Sequence, residues 1–428
     1  MSTVGIHLQW TLSRTVLPES NEPQLVYILL EATPQGLPTQ MPKLPLNLCL
    51  VIDRSSSMRG ERLMQVKDAA QRIVDQMDQQ DYFSLVTFND RAETVISAQR
   101  VTNKADLKRM INSIEAAGGT EMATGMAMAL QEIQRPMLAR GINRMLLLTD
   151  GRTYGDEGRC VDIARRAQNR GIGITALGIG NEWNEDLLET IAARENSRTQ
   201  YITSAQEVTA VFADELKRMH TIFAQGVTLQ ADVRPGGMLR SLDRVRPFIS
   251  SVAVAEEQEL RWTGSLGDWP GSDVQAFLIE LVIPPLPAGD HPMLKLRLRY
   301  DLPGVNQVGQ VQEQIMRISV RSADSVGYEV DATVKHWLER LVAYRLQASA
   351  WKDVEAGRIE EATRRLQMAG TRLFDAGEVE LARTVQDEAT RLLRSGSTSA
   401  EGRKRIKYGT RGLIGRGDEA SASEEFTV

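Results

Sequence analysis

The sequence predicts a multidomain chain of α/β + β + α class. A doubly wound, Rossmann-like domain is inserted in a β-sandwich and followed by a small helical bundle and a disordered tail. Three observations predict this. From Leu46 to about Ile222, apolar strand-like runs alternate with helix-like segments, as a doubly wound sheet requires. From Val227 to Val320, short β-rich runs are separated by Pro and Gly turns, the pattern of a sandwich. From Asp331 to Arg394, apolar residues recur at helical spacing. The expected limits are 1–42 for a hairpin joining the sandwich, 43–222, 223–325, 326–395 for the helices, and 396–428 for the tail.

Ile6 to Leu12 and Leu25 to Thr33 read as a β-hairpin around the polar turn Pro18 to Pro23. Two strands alone are marginal, so this hairpin is expected to join the later sandwich, which makes the α/β domain an insertion. Leu46 to Asp53 is an apolar run that stops at an aspartate and a serine cluster, and reads as a strand buried on both faces. Glu61 to Met77 carries Leu63, Val66, Ala70, Ile73 and Met77 on one helical face. Tyr82 to Phe88 and Thr94 to Ala98 are short strands, and Lys104 to Ile114 and Ala123 to Ile133 are helices. Met122 and Met126 fall at helical spacing and read as packing. Arg144 to Thr149 and Gly173 to Ile179 are strands, with helices at Cys160 to Asn169, Asn184 to Ala193 and Val208 to Thr221. The helical region divides into three segments at Glu355-Ala356-Gly357 and Ala376-Gly377.

With 428 residues there is room for two or three domains, and a net charge of -5 gives no reason to expect nucleic acid or an anionic membrane as the main partner. No basic region followed by an apolar core opens the chain, and no window is long and apolar enough to cross a bilayer. Cys49 and Cys160 form no C-x-x-C pair, so buried free thiols and a cytoplasmic location are expected.

Ligands of open α/β sheets bind beyond the carboxyl ends of the strands, which places Asp53, Ser55 and Ser57 at the usual binding edge. One carboxylate and two hydroxyls make a hard, oxygen-only environment suited to Mg2+ or Mn2+ rather than zinc. The same residues would equally serve as a helix N-cap, and this stretch alone leaves the two readings open. Two later segments bear on the choice. Ala116 to Thr120, AAGGT, is a glycine turn presenting a hydroxyl, and the strand ending at Thr149 is followed by Asp150 and Gly151.

Asp-x-Ser-x-Ser, a distant Thr and a more distant Asp together resemble a von Willebrand factor type A domain with a complete metal-ion-dependent adhesion site. The resemblance implies that Ser55, Ser57 and Thr120 ligate the metal directly, while Asp53 and Asp150 hold it through waters or hydrogen bonds. It also implies Mg2+ as the ion, with Mn2+ or Ca2+ able to replace it, and a partner protein whose Asp or Glu completes the coordination. The function expected is thus a non-enzymatic adaptor or scaffold that binds proteins through its metal.

Two alternatives compete. A strand-terminal Asp can be the nucleophile of a metal-dependent, phosphatase-like hydrolase, but the general acid two residues on is replaced by Ser55. His7, His220, His291 and His336 show no metal-ligand spacing, and no glycine-rich phosphate cradle is present. Alternatively the helical region and tail do the recognising. In that tail Thr410 follows the basic cluster Arg403 to Lys407, and its phosphorylation would suit a phosphothreonine-reading partner. Arg416-Gly417-Asp418 is a short match with no extracellular context around it. The loop Arg152 to Arg159 should line the binding edge, where Asp156 and Glu157 read as solvated, as guarding the metal or as selecting a basic partner rim.

Overall fold

The computed structural model describes residues 4–36, 43–153, 155–192, 198–271, 273–322, 327 and 329–412. They form two compact units, one of Leu44–His220 and the other of the residues before Leu44 together with Thr221–Gly412.

The chain opens with β1 (Gly5–Leu12), β2 (Val16–Pro18) and β3 (Gln24–Gln35). β1 and β3 pair antiparallel, with Leu12 opposite Ile28, as the hairpin pattern predicts. The α/β unit then runs β4 (Leu46–Asp53), α1 (Glu61–Gln76), β5 (Tyr82–Phe88), β6 (Ala92–Arg100), α2 (Lys104–Asn112) and α3 (Met122–Gln134). It continues through β7 (Ile142–Thr149), α4 (Glu157–Gln168), β8 (Ile172–Ile179), α5 (Glu185–Ile191), β9 (Arg198–Ile202) and α6 (Val208–His220).

Its sheet has the order β6-β5-β4-β7-β8-β9, and only the edge pair β5–β6 is antiparallel. β4, β7 and β8 are buried at every residue, which explains why the sequence shows unbroken apolar runs rather than alternation. Helix α1 buries Leu63, Val66, Ala70 and Ile73, each of the larger side chains contributing about 1.5–3 kcal/mol. Met122 and Met126 are buried as packing residues, and Gly125 lets α3 sit against Phe88, whose ring a Cβ would meet at 2.9 Å. Cys49 and Cys160 are free and buried, and burial pushes both thiols up to about 12.

The strand order reverses between β4 and β7. β4 leads outward to β5 and β6, β7 leads the other way to β8 and β9, and such a switch point leaves a crevice at the carboxyl ends of the two central strands.

In the second unit follow β10 (Ile222–Val233), β11 (Met238–Arg246), β12 (Ser250–Ser251), β13 (Val254–Gln258), β14 (Arg261–Pro270), β15 (Gln275–Ile283), β16 (Gly289–Leu302) and β17 (Gln307–Arg321). They build two sheets, β1-β3-β15-β11-β12 and β13-β14-β10-β16-β17-β2. β3 pairs with β15 and β2 with β17, so the N-terminal strands belong to both sheets and the α/β unit is inserted between β3 and β10. One core fills the sandwich, including Ile28, Leu30, Leu229, Trp269, Phe277 and Leu298.

The helices are α7 (Ala332–Glu355), α8 (Ile359–Asp375), α9 (Val379–Ser395) and α10 (Ala400–Arg411). Val334 and Leu341 of α7 pack on Leu29, Val245, Ile249 and Leu278, while Arg345 bonds Asp243 at 2.7 Å and Glu280 at 3.2 Å. Gly357 and Gly377 take φ of +74° and +83° at the ends of α7 and α8, where glycine avoids the Cβ penalty.

α10 corrects the expectation of a disordered tail from residue 396. Glu388 on α9 accepts hydrogen bonds from the Ser399 amide (2.8 Å) and hydroxyl (2.7 Å), and Ser399 in turn accepts from Gly402 (2.8 Å). That cap starts a helix which buries Ile406 and Tyr408 completely. Residues 413–428, including Arg416-Gly417-Asp418, lie outside the described residues. Among the described residues no helix is long and apolar enough to cross a membrane.

Candidate metal centre

Asp53, Ser55, Ser57, Thr120 and Asp150 converge at the switch-point crevice. Asp53 ends β4, Asp150 follows β7, and both are wholly buried. The Ser55 amide donates to Asp53 Oδ1 at 2.8 Å, and the Thr149 hydroxyl donates to Asp53 Oδ2 at 2.6 Å. Ser55 and Ser57 hydroxyls lie 3.0 Å apart, and the Ser57 hydroxyl donates to Asp150 Oδ1 at 2.7 Å. A Cβ on Gly151 would lie 3.5 Å from the Thr120 hydroxyl and 3.9 Å from that of Ser57, so these groups share one small space that a side chain at 151 would fill. Both carboxylates are buried, whereas Ser57 is exposed.

Backbone bonds lace the loops together. The Ser56 amide donates to Gly118 (3.0 Å), Ala117 to Arg54 (2.8 Å), Arg54 to Phe88 (2.8 Å) and Glu121 to Asn89 (2.7 Å). Asp90 Oδ1 accepts from the Gly119 amide at 2.9 Å, and Asn89 donates to the Ala117 carbonyl at 2.7 Å. The turn carrying Thr120 is therefore held by the β5–β6 loop. Asp156 neither guards the crevice nor lies in solvent: it is buried, bonds the Thr153 hydroxyl, and accepts from the Ala123 amide at 2.7 Å at the start of α3. Thr153 in turn donates to the Thr120 carbonyl at 3.2 Å.

Three groups at the site escaped the sequence reading. Thr149 occupies Asp53, Asp90 supports the Thr120 turn, and Arg62 reaches from α1 to Asp150 Oδ2 at 2.5 Å and the Ser57 carbonyl at 3.4 Å. Only Thr149 carries a sequence signal, as a polar residue closing an apolar strand.

Burial pushes the Asp53 carboxyl up to about 6, hydrogen bonds from Thr149 and Ser55 work against that rise, and the charge of Asp150 adds to it. Two buried carboxylates facing a single guanidinium form a negative oxygen-lined cradle, which fits a hard dication. The same geometry disfavours a nucleophilic Asp53, since both its oxygens are engaged and Ser55 stands where a general acid is needed. Among the described residues no three His, Cys, Asp or Glu side chains cluster as a metal site of another kind.

Thr410 is not part of this centre. It belongs to the other unit, is 1 % exposed, and donates to the Ile406 carbonyl at 2.9 Å inside α10. A kinase requires an exposed, extended hydroxyl, so the expectation of a phosphorylated tail threonine is withdrawn.

Comparison with known proteins accords with the geometry. Residues 47–215 match the profile of the von Willebrand factor type A domain, and residues 332–416 match the Sll0103-like, C-terminal alpha-helical domain. A solved von Willebrand factor type A protein from Catenulispora acidiphila covers 96% of this chain and 97% of its own at TM-score 0.76 and 16% identity. The ArnB paralog VWA2 from Sulfolobus acidocaldarius covers 96% of this chain and 100% of its own at TM-score 0.57 and 16% identity. Inter-alpha-trypsin inhibitor heavy chain H4 of Bos taurus is 31% identical over 36% of this chain, but only 18% of that protein's length is spanned. The Synechocystis sp. protein sll0103 is 30% identical over 84% of this chain and 86% of its own length. With that identity over most of the relative's length, and with both family domains matched in this chain, the protein belongs to the Sll0103-like family of von Willebrand factor type A domain proteins.

Proposed function

We propose that the chain is a metal-dependent protein-binding module, a cytoplasmic adaptor or scaffold that holds Mg2+ at its switch-point crevice and takes a carboxylate of a partner. Mn2+ or Ca2+ would serve in its place. The observation that carries this reading is the convergence of three hydroxyls, those of Ser55, Ser57 and Thr120, beside two buried carboxylates.

Ser55, Ser57 and Thr120 would hold the ion directly. Asp53 and Asp150 would act from behind them, since their oxygens are already engaged by Thr149, Ser55, Ser57 and Arg62. A dication bound chiefly by neutral oxygens keeps its electrophilicity and draws one more anionic ligand. Protein binding is the general role of von Willebrand factor type A domains, and the inter-alpha-trypsin inhibitor likeness covers 36% of this chain. Cytoplasmic residence is supported by the two free, buried thiols.

The test is affinity capture from native lysate by wild type and Asp53→Ala, each with Mg2+ and with chelator. Partners lost together in the variant and in chelator support the reading; an unchanged partner set refutes it.

A further inference from the structure

The loops that build the crevice also carry exposed arginines. Arg59 follows the Ser55–Met58 turn, Arg91 follows the Asn89-Asp90 pair that holds the Thr120 turn, and Arg152 follows Gly151. All three are exposed, and among the described residues none forms a side-chain hydrogen bond or ion pair. Arg59 is two residues from Ser57, Arg152 two from Asp150, and Arg91 next to Asp90, so the three stand on three of the loops that build the crevice. Arg62, 38 % exposed and bonded to Asp150, adds a fourth guanidinium at the same opening.

Some carboxylates of these loops have partners of their own. Glu93 pairs with Arg54 at 3.7 Å, Glu121 pairs with Arg159 at 3.2 Å, and Asp90 accepts from the Gly119 amide. Glu61 accepts from Gln206, and Glu157 sits in the first turn of α4, where the helix dipole favours a negative charge. Asp90, Glu61 and the exposed Glu115 keep their charges, while Arg59, Arg91 and Arg152 are guanidinium groups without an anionic partner among the described residues.

We propose that this rim recognises an acidic segment of a protein partner, one carboxylate going to the metal and neighbouring carboxylates to Arg59, Arg91 and Arg152. The inference rests on the metal-binding reading and names the partner's chemistry. Guanidinium groups match carboxylates bidentately, which a lone lysine charge does not. An extended segment places alternate side chains on one face about 7 Å apart, so acids flanking the metal ligand reach loops on either side. Rim charges of this kind raise the rate of encounter and select among partners.

The test uses the full chain with Mg2+ and two labelled peptides, one with a central Asp flanked by glutamates and one with the same Asp flanked by serines. Fluorescence anisotropy should show the glutamate peptide binding about tenfold tighter, with the preference shrinking as NaCl rises. In the triple variant Arg59→Gln, Arg91→Gln, Arg152→Gln the preference should vanish while the serine peptide binds as before. These side chains are exposed, so the variant is expected to fold; retained far-UV circular dichroism checks it. Equal affinities in wild type, or a preference that survives in the variant, overturn the inference and leave the metal reading intact. Loss of Mg2+ dependence for both peptides overturns the metal reading and this inference with it. Equally tight, competing binding of a single-stranded RNA of matched charge overturns the assignment to an acidic protein.

Discussion

Asp53→Asn should abolish metal-dependent behaviour yet stabilise the metal-free α/β unit. Asp53 is wholly buried, and burial raises its carboxyl from the ordinary 3.8 to about 6. At about 1.36 kcal/mol for each unit of pH, that difference corresponds to about 3 kcal/mol of stability lost when the native carboxyl must ionise. The sign follows from the direction of the rise. Below pH 3.8 the group is protonated in folded and unfolded chains alike, and the native environment favours that form. As pH climbs through 6 the favourable contribution disappears. Asparagine cannot ionise, so the variant gains over wild type across that window and holds the gain above it. Few hydrogen bonds are lost: the amide oxygen can still accept from Ser55, and the Thr149 hydroxyl can turn to the Gly151 carbonyl 3.2 Å away while accepting from the new amide nitrogen. Differential scanning fluorimetry in chelator from pH 4 to 8 should show little gap near pH 4 and a transition about 6–12 °C higher for the variant at pH 7.5. Added Mg2+ should raise wild type and leave the variant unmoved. A variant less stable than wild type at pH 7.5 in chelator, or a gap independent of pH, refutes the reasoning.

Arg62→Gln removes the cation bonded to Asp150, so Mn2+ should bind about three- to tenfold tighter, read by electron paramagnetic resonance of free Mn2+; unchanged affinity would show that Arg62 does not compete. Asp90→Ala frees the Gly119 amide and loosens the Thr120 turn, so Mn2+ should bind several-fold weaker with little change in melting temperature. Thr410→Glu places a charge at a 1 % exposed position of α10 and should destabilise the helical region by about 2 kcal/mol or more, measured by urea denaturation, whereas a solvated tail would tolerate it. Gly178→Ala puts a Cβ about 2.1 Å from the buried Trp183 ring, so the α/β unit should lose stability and the indole emission should shift to the red.

What the sequence discloses of this site follows from how its residues are grouped. Asp53, Ser55 and Ser57 lie within five positions at the end of an unbroken apolar strand, and Asp150 follows another, so the strand pattern alone places them at one edge. Arg62 and Asp90 carry no such mark, because their contribution depends on which loops a doubly wound sheet brings together. β11 is hard to read from sequence for a local reason: bulges between Leu239 and Ser241 and between Arg244 and Arg246 interrupt its alternation. β13 is exposed along most of its length and offers no apolar face to detect. The helix α10 was hidden because its core positions include Gly402, Lys404, Lys407 and Thr410, residues whose composition reads as solvated, while the cap that starts it depends on Glu388 of another helix.

The two carboxylates and Arg62 also bear on when the metal is needed. Zinc-stapled small domains have too little core to fold without their ion. Here β4, β7 and β8 are buried along their whole length and α1 and α3 cover them, so the unit has an apolar core that owes nothing to the crevice. Arg62 already balances part of the charge of Asp150. On the metal-binding reading the ion is therefore a reversible ligand rather than a folding element, and its affinity is free to be set by function. A partner carboxylate that reaches the ion strengthens metal binding by the same factor by which the ion strengthens partner binding. Weak metal affinity in the free protein and tight affinity in the complex are then one coupling free energy, and Arg62, which favours the metal-free state, sets how much of it the partner must supply.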